Sequence, residues 1–169
     1  MGYAPFGLII RPDFNGVALK HRSPRGPTNP KLYGGGFKNL SVQGSYGLAG
    51  NQQILLEVDQ INYGVYHVNL LNTAGPMCAR FTCGYGNAVN GNDSGSTQFI
   101  DLDMYCGQFA GREDGFSVGN PNAHGLVLEG TETNNQSLWT GAKLLTQMVN
   151  GKGLWIKNAD TIHFDEFIS

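Results

Sequence analysis

Two carboxylates near the middle of the chain, Asp101 and Asp103, have the residue type and spacing that a hydrolytic site requires. In an extended strand, side chains two residues apart lie on one face, with their α-carbons about 7 Å apart. Carboxyl groups at such a separation can act as general acid and general base at a glycosidic bond. The spacing therefore predicts a catalytic carboxylate pair on the outward face of a strand.

A later segment carries a second polar pair with the same spacing, His163 and Asp165. If the strands stack, this pair lies roughly 10 Å from the first at ordinary strand separation. We therefore predict Asp165 as a third catalytic carboxylate and His163 as a substrate-binding residue, with a role as catalytic base also open. Asn69 and Lys143 fall on the same outward face and are predicted to bind substrate there.

Trp155 is a further substrate-binding candidate, because alternation within its strand points it outward. An exposed Trp ring can stack on a sugar, but it suits a subunit interface equally well, and both roles remain open. The insertion from Gly107 to Asn122 contains Arg112 to Asp114 and predicts a hydrated loop, although loops on a rigid scaffold often carry function.

The same polar residues also have plainer interpretations. Asp101 can pair with Lys143 across neighbouring strands, and an outward Asp is often only solvated. A calcium site at the carboxylates would need more oxygen ligands than the sequence supplies. We therefore predict no metal and no cofactor.

The elements that must position these residues are strands rather than helices. Gly accounts for 25 of 169 residues and charged residues for only 14%, which is not the composition of a helical bundle. The 11% aromatic content argues against disorder, and no apolar run reaches the roughly 18 residues of a membrane helix. A net charge of -2 without a basic stripe argues against a nucleic-acid surface, and the short basic cluster from Lys20 to Arg25 predicts a solvated loop.

The three cysteines, Cys78, Cys83 and Cys106, form no CxxC motif and no zinc spacing. They predict partly buried thiols of a protein made in a reducing cytoplasm. The segment from Met1 to Ile10 lacks the basic region and longer apolar stretch of a secretion signal.

Two kinds of short apolar strand alternate along the chain, with Gly- and Asn-rich loops between them. We expect each strand to pair in parallel with the next of its kind, about 4.8 Å away, because tight hairpin turns are missing at most junctions. This pattern predicts an all-β parallel solenoid of about five coils, forming a single domain over residues 1–169. The predicted strands are Gly16–Lys20, Ile54–Glu57, Met77–Arg80, Leu126–Glu129 and Leu154–Lys157 of the first kind, and Phe37–Val42, Val65–Leu70, Phe99–Asp103, Trp139–Leu144 and Ile162–Asp165 of the second.

Aligning the strands gives inward columns that are entirely apolar, and an outward column whose charges alternate in sign. Opposite charges on neighbouring strands attract, so the alternation supports a parallel register. In the second kind of strand, the same alignment places Asp101 beside Asn69 and puts His163 in that column. The inward column begins Val17, Ile54, Met77, Leu126 and Leu154, and the charged column is Lys20, Glu57, Arg80, Glu129 and Lys157.

The segments Gly35–Gly44, His124–Gly130 and Asn150–Asp160 resemble coils of right-handed parallel β-helices. The resemblance is to the pectate-lyase-like group, most closely to bacteriophage tailspikes and capsular polysaccharide depolymerases. It spans roughly Gly7 to Ser169 and brings no catalytic motif that can be carried over by residue. It implies a homotrimer on a virion tail that binds bacterial surface polysaccharide and often depolymerises it, by hydrolysis or elimination. A receptor-binding module without catalysis and a structural fibre segment remain open as alternatives.

The chain departs from that family at both ends. Family members usually carry an N-terminal capping helix and a C-terminal trimerisation region, whereas strands here are predicted almost from Met1 to the last residues. An uncapped solenoid end exposes core side chains and strand edges. We therefore expect either that partner subunits cover the ends or that the chain is a segment of a longer tailspike.

Overall fold

The computed structural model describes residues 7–9, 16–22, 32–44, 52–59, 61–73, 76–82, 97–106, 124–129, 138–147, 151–157 and 161–168. These residues form β-strands and contain no helix, so the all-β prediction is confirmed for this part of the chain. The strands are β1 (Gly7–Ile9), β2 (Val17–Arg22), β3 (Leu32–Tyr33), β4 (Gly36–Gln43), β5 (Ile54–Asp59), β6 (Ile61–Asn62), β7 (Gly64–Thr73), β8 (Met77–Thr82), β9 (Thr97–Cys106), β10 (His124–Glu129), β11 (Leu138–Gln147), β12 (Leu154–Lys157) and β13 (Thr161–Ile168).

The strands form three sheets in which every pair is parallel. A six-stranded sheet has the order β1-β4-β7-β9-β11-β13, a five-stranded sheet has the order β12-β10-β8-β5-β2, and β3 pairs with β6. From β7 onward the chain visits the two larger sheets in strict turn, so each strand lies beside the previous strand of its own kind. This arrangement is consistent with a β-solenoid.

All ten predicted strands are present, and most of them extend two or three residues beyond the predicted bounds. The sequence pattern does not predict β3 and β6, because segments of two residues are too short to show alternation, whereas β1 agrees with the prediction that strands begin almost at Met1. The basic segment Lys20 to Arg22 belongs to β2, so the prediction of a solvated loop is wrong there. In this strand Lys20 and Arg22 lie opposite carboxylates of β5, so two of its cations are paired.

A glycine turn sets the start of β4. Gly34, Gly35 and Gly36 all have positive φ, and the Gly35 carbonyl accepts a hydrogen bond of 2.9 Å from the Val65 amide. A Cβ atom on Gly36 would overlap the Val65 carbonyl oxygen. Only glycine combines this backbone conformation with so close an approach to β7.

The core is one apolar cluster contributed by both larger sheets. Burying an aliphatic or aromatic side chain of this size contributes about 1.5 to 3 kcal/mol, so the cluster is the main stabilising feature of the fold. Its fully buried members include Val42, Tyr66, Leu70, Ile100 and Met104 from the six-stranded sheet, and Leu56, Val58, Phe81, Leu126 and Leu128 from the five-stranded sheet.

The predicted register of the five-stranded sheet is right from β2 to β8 and from β10 to β12, and it is displaced between β8 and β10. Val17, Ile54 and Met77 align as predicted, but Met77 then pairs with His124 rather than with Leu126. The displacement is two residues, which returns every side chain to the same face. Leu126 therefore remains in the core, with its predicted neighbour Leu154 on β12 but with Ala79 in place of Met77 on β8.

The charged column forms ion pairs between neighbouring strands, as its alternating signs predict. Lys20 Nζ lies 2.5 Å from Glu57 Oε1, Arg80 Nη2 donates to Glu129 Oε2 at 2.8 Å, and Lys157 Nζ lies 3.8 Å from Glu129 Oε1. The displaced register makes the Arg80 contact diagonal rather than direct. Partly exposed pairs of this kind contribute about 0 to 1 kcal/mol each, so they favour the register more than they stabilise the fold.

The outward face of the five-stranded sheet is itself partly buried. Leu55, Cys78 and Val127 point away from the inward column, yet all three are fully buried. Two polar groups on this face pair with each other, since the Thr82 hydroxyl donates to Asp59 Oδ1 at 2.7 Å. Both faces of the sheet are therefore shielded from solvent at its centre.

Cys78 is disulfide-bonded, which contradicts the prediction of free thiols. Three cysteines leave Cys83 and Cys106 as the candidate partners, and neither of their side chains lies among those described. The spacing of the cysteines could not show this, because strand stacking brings together residues that are distant in sequence.

The edge strands β12 and β13 expose large apolar side chains. Ile156 pairs with fully buried Leu128 but is itself 47% exposed, and Phe167 on β13 is 48% exposed. These side chains are exposed because β12 and β13 are the edge strands of their sheets, and each has a neighbouring strand on one side only.

Candidate functional site

Asp101 and Asp103 lie on the outward face of β9. Their neighbours Ile100, Leu102 and Met104 are buried in the core, so alternation turns the two carboxylates outward. The prediction that both share one face is confirmed. Asp101 is 28% exposed, and Asp103 is half-buried with its Oδ1 atom shielded from solvent.

The register between β7 and β9 is displaced by two residues from the prediction, so the two carboxylates have different neighbours. Asn69 pairs with Asp103, and His67 pairs with Asp101, whereas the sequence alignment placed Asn69 beside Asp101. The observed register places buried Met104 beside Leu70, an apolar neighbour. The predicted register would have placed Met104 beside the polar residue Asn72. Packing of Met104 in the core therefore favours the observed register.

His67 is the residue that the sequence reasoning missed. Its Nε2 atom lies 3.8 Å from Asp101 Oδ2, and its side chain is 54% exposed. The distance is too long for a hydrogen bond, so the interaction is a charge contact when the imidazole is protonated. The signal available in the sequence was its position two residues before Asn69, which puts both on the outward face of β7.

Ser41 on β4 extends this polar surface by one strand. It pairs in register with Asn69, whose Nδ2 donates to its hydroxyl at 3.3 Å. Ser41, Asn69 and Asp103 therefore form a row across three adjacent strands, and His67 and Asp101 form a second row beside it. We call these five residues the central cluster.

The other predicted pair lies at the sheet edge. His163 Nε2 is 3.2 Å from Asp165 Oδ1 on β13, and the side chains are 71% and 69% exposed. Thr140 of β11 pairs with both His163 and Phe99, so His163 is level with Phe99 and not with Asp101. The prediction that His163 shares a column with Asp101 is therefore wrong, although both face outward. Two strand spacings, about 10 Å, separate β13 from β9.

Lys143 lies in an irregular part of β11. The ladder with β9 shifts between Thr140 and Leu144, which places this stretch opposite Ile100 and Asp101. The side chain of Lys143 is outside the described set, so its predicted pairing with Asp101 stays a prediction. The loop residues Arg112 to Asp114 also lie outside the described residues.

Trp155 lies on the five-stranded sheet and does not join the carboxylates. Its ring centre is 4.6 Å from that of His124, 3.9 Å from Lys157 Nζ and 4.5 Å from Lys152 Nζ. We call these four residues the Trp155 cluster. The ring is half-buried and holds two ammonium groups by cation–π interaction, so it is not an open stacking surface.

The imidazole of His124 is positioned by the turn that precedes β12. Its Nδ1 atom accepts a hydrogen bond of 3.0 Å from the Lys152 backbone amide. Burial, followed by the charges of Lys152 and Lys157, lowers the pKa of His124 below its ordinary value. The ring is therefore held neutral with Nδ1 as an acceptor.

A second histidine belongs to the interior. His21 Nδ1 lies 2.8 Å from the Tyr66 hydroxyl, and both rings pack against Phe37. Burial lowers the pKa of His21 and raises the pKa of Tyr66. The pair satisfies two polar groups at the core boundary and is structural.

Comparison of the chain with protein-family models, with curated proteins and with solved structures finds no match. Within the described part of the chain, no three His, Cys, Asp or Glu side chains converge as a metal site would need. In the same part, there is no helix of the length and apolar character that crossing a membrane takes.

Proposed function

We propose that this protein is a tailspike-type solenoid, a right-handed parallel β-helix of about five coils that binds bacterial surface polysaccharide. The glycan lies across the outward face of the six-stranded sheet. In this proposal the protein acts as a homotrimer on a virion tail, outside the cell in which it is made.

The central cluster is the observation that carries the proposal. It offers a hydroxyl, an amide, an imidazole and two carboxylates on adjacent strands of one sheet. Sugar hydroxyls both donate and accept hydrogen bonds, so a row of such mixed groups suits them. The strands beneath are fixed by the buried core, which holds the row in place before a ligand binds.

Cleavage of the glycan would use Asp101 and Asp103. Their α-carbons are about 7 Å apart along β9, a separation compatible with two carboxyls that flank a glycosidic bond with a water between them. In this proposal Asp101 and Asp103 share the roles of general acid and general base at the glycosidic bond. Asp165 and His163 extend the binding surface toward the edge of the sheet.

The test is a panel of capsular and O-antigen polysaccharides, scored for binding and for new reducing ends or unsaturated sugars. Asp101→Asn and Asp103→Asn should each abolish cleavage and retain binding. Glu166→Gln, which removes another exposed carboxylate from the same sheet, should leave cleavage unchanged. Full activity in both Asp variants removes them from the reaction, and failure to bind any polysaccharide removes the proposed function.

A receptor-binding or structural fibre segment without catalysis is the second candidate. The contact between His67 and Asp101 favours it, because this gives one of the two carboxylates a partner within the protein. Tight glycan binding with no product after prolonged incubation is the result expected for a receptor-binding segment. A stable trimer without glycan affinity is the result expected for a purely structural one.

A further inference from the structure

Distances along the backbone determine which cysteine is bonded to Cys78. Cys78 lies on β8, where it is fully buried and disulfide-bonded. The α-carbons of two bonded cysteines lie about 4.4 to 6.8 Å apart. The chain contains two other cysteines, Cys83 and Cys106, so the partner within the chain is one of these.

Cys83 is too far along the same strand to be the partner. β8 is extended from Met77 to Thr82 and keeps its register with β5 over this length. Thr82 therefore lies four strand steps, about 13 Å, from Cys78. Consecutive α-carbons are about 3.8 Å apart, so even a full reversal of the chain after Thr82 leaves the next residue about 9 Å from Cys78.

Cys106 ends at the corner of the fold where β8 begins. It is the last residue of β9 and pairs with Thr73, the last residue of β7. From Thr73 the chain turns into β8, in which Cys78 is the second residue. The end of β9 therefore lies one strand spacing, about 4.8 Å, from the start of this turn. β8 and β9 are in contact although they belong to different sheets, which agrees with this placement.

The surroundings of Cys78 protect a disulfide once it has formed. Leu55 of β5 lies beside Cys78 in the register, and both side chains are fully buried. Reduction requires that a thiolate reach one of the two sulfur atoms, and burial in apolar surroundings denies that access. The bond is therefore expected to resist reductant in the folded protein and to break when the chain unfolds.

We propose that Cys78 and Cys106 form a disulfide that joins the two larger sheets at this corner, and that Cys83 keeps its thiol. When the bond forms, each of the two thiols loses a proton, and their two electrons reduce an external disulfide to two thiols. The protein then completes its folding where disulfides persist, and not in the reducing cytoplasm that the cysteine pattern predicts. This inference does not depend on the binding of a glycan.

Peptide mapping of the full chain, folded in a mixture of reduced and oxidised glutathione, tests the pairing. Free thiols are alkylated, and the denatured chain is cut with trypsin and with a protease that cleaves before Asp. Both enzymes are needed because residues 81–112 form one tryptic peptide that contains Cys83 and Cys106. The expected product joins residues 59–80 to residues 103–112, with Cys83 alkylated in residues 81–92. A product that joins 59–80 to 81–92, a bond between two copies of the chain, or alkylation of all three cysteines would overturn the inference.

Thermal unfolding with and without reductant gives a second readout. A disulfide that closes a loop of roughly 30 residues should raise the melting temperature by about 10 °C in a chain of this size. Reductant should remove this increment from the wild type and from Cys83→Ser, and should leave the melting temperature of Cys106→Ser unchanged. Each protein is compared with its own reduced form, which cancels the cost of the substitution itself. A response to reductant that is lost in Cys83→Ser and kept in Cys106→Ser would assign the bond to Cys83 and refute the proposal.

Discussion

Replacing one inward residue on the edge strand β12 and its partner on the next strand, β10, tests how the five-stranded sheet ends. Leu128 is fully buried, and its strand partner Ile156 is 47% exposed. Leu128→Ala removes a filled core position and should cost about 2 to 5 kcal/mol of unfolding free energy. Ile156→Ala should cost less than about half as much, because the side chain buries only part of its surface.

Urea denaturation followed by circular dichroism measures both costs. Equal slopes against urea in the wild type and the two variants would show that the same surface is exposed on unfolding, so that the midpoints can be compared. A cost for Ile156→Ala equal to that for Leu128→Ala would refute the reasoning, because it would mean that the edge strand is covered. Repeating the titration over a hundredfold range of protein concentration separates cover by another subunit from cover within the chain, since only the former depends on concentration.

Two further predictions concern the cysteines and the buried histidines. In urea without reductant, iodoacetamide should label one cysteine per chain, and after reduction it should label three, because Cys78 is disulfide-bonded; labelling of three before reduction would contradict this. The lowered pKa values of His21 and His124 mean that the unfolded chain takes up protons first as pH falls below about 6.5. The free energy of unfolding should therefore fall from pH 7.5 to 5.5, less steeply in His21→Phe and His124→Gln; a pH-independent wild type would argue against both shifts.

The strands were predictable because alternation is a local property of the sequence. Residues such as Ile100 and Leu102 flank Asp101 and Asp103 in a pattern that only an extended chain explains. The same pattern placed both carboxylates outward without any knowledge of their neighbours.

The register was only partly predictable, because alternation repeats every two residues. A slip of two leaves each side chain on its face and changes only its neighbour. The residue beside Asn69 is therefore Asp103, whereas the sequence alignment placed Asp101 there. The buried position of Met104 favours the observed register over the predicted one. Aligning short apolar segments by sequence does not take into account how well one side chain packs against another.

Contacts between distant segments account for what the sequence missed. His67 becomes interesting only when Asp101 lies beside it, 34 positions later in the chain. Trp155 was expected to lie open, yet residues on two strands and the turn before β12 gather around its ring. The burial of Leu55 and Val127 on an outward face also depends on packing that alternation does not describe.

A crystal structure of the protein soaked with an oligosaccharide from a polysaccharide that it binds tests the central claim most directly. The account predicts parallel strands with Asn69 beside Asp103 and sugar density over that row, within hydrogen-bond distance of Asp101 or Asp103. Antiparallel neighbours in the six-stranded sheet, or sugar bound away from the central cluster, would contradict it.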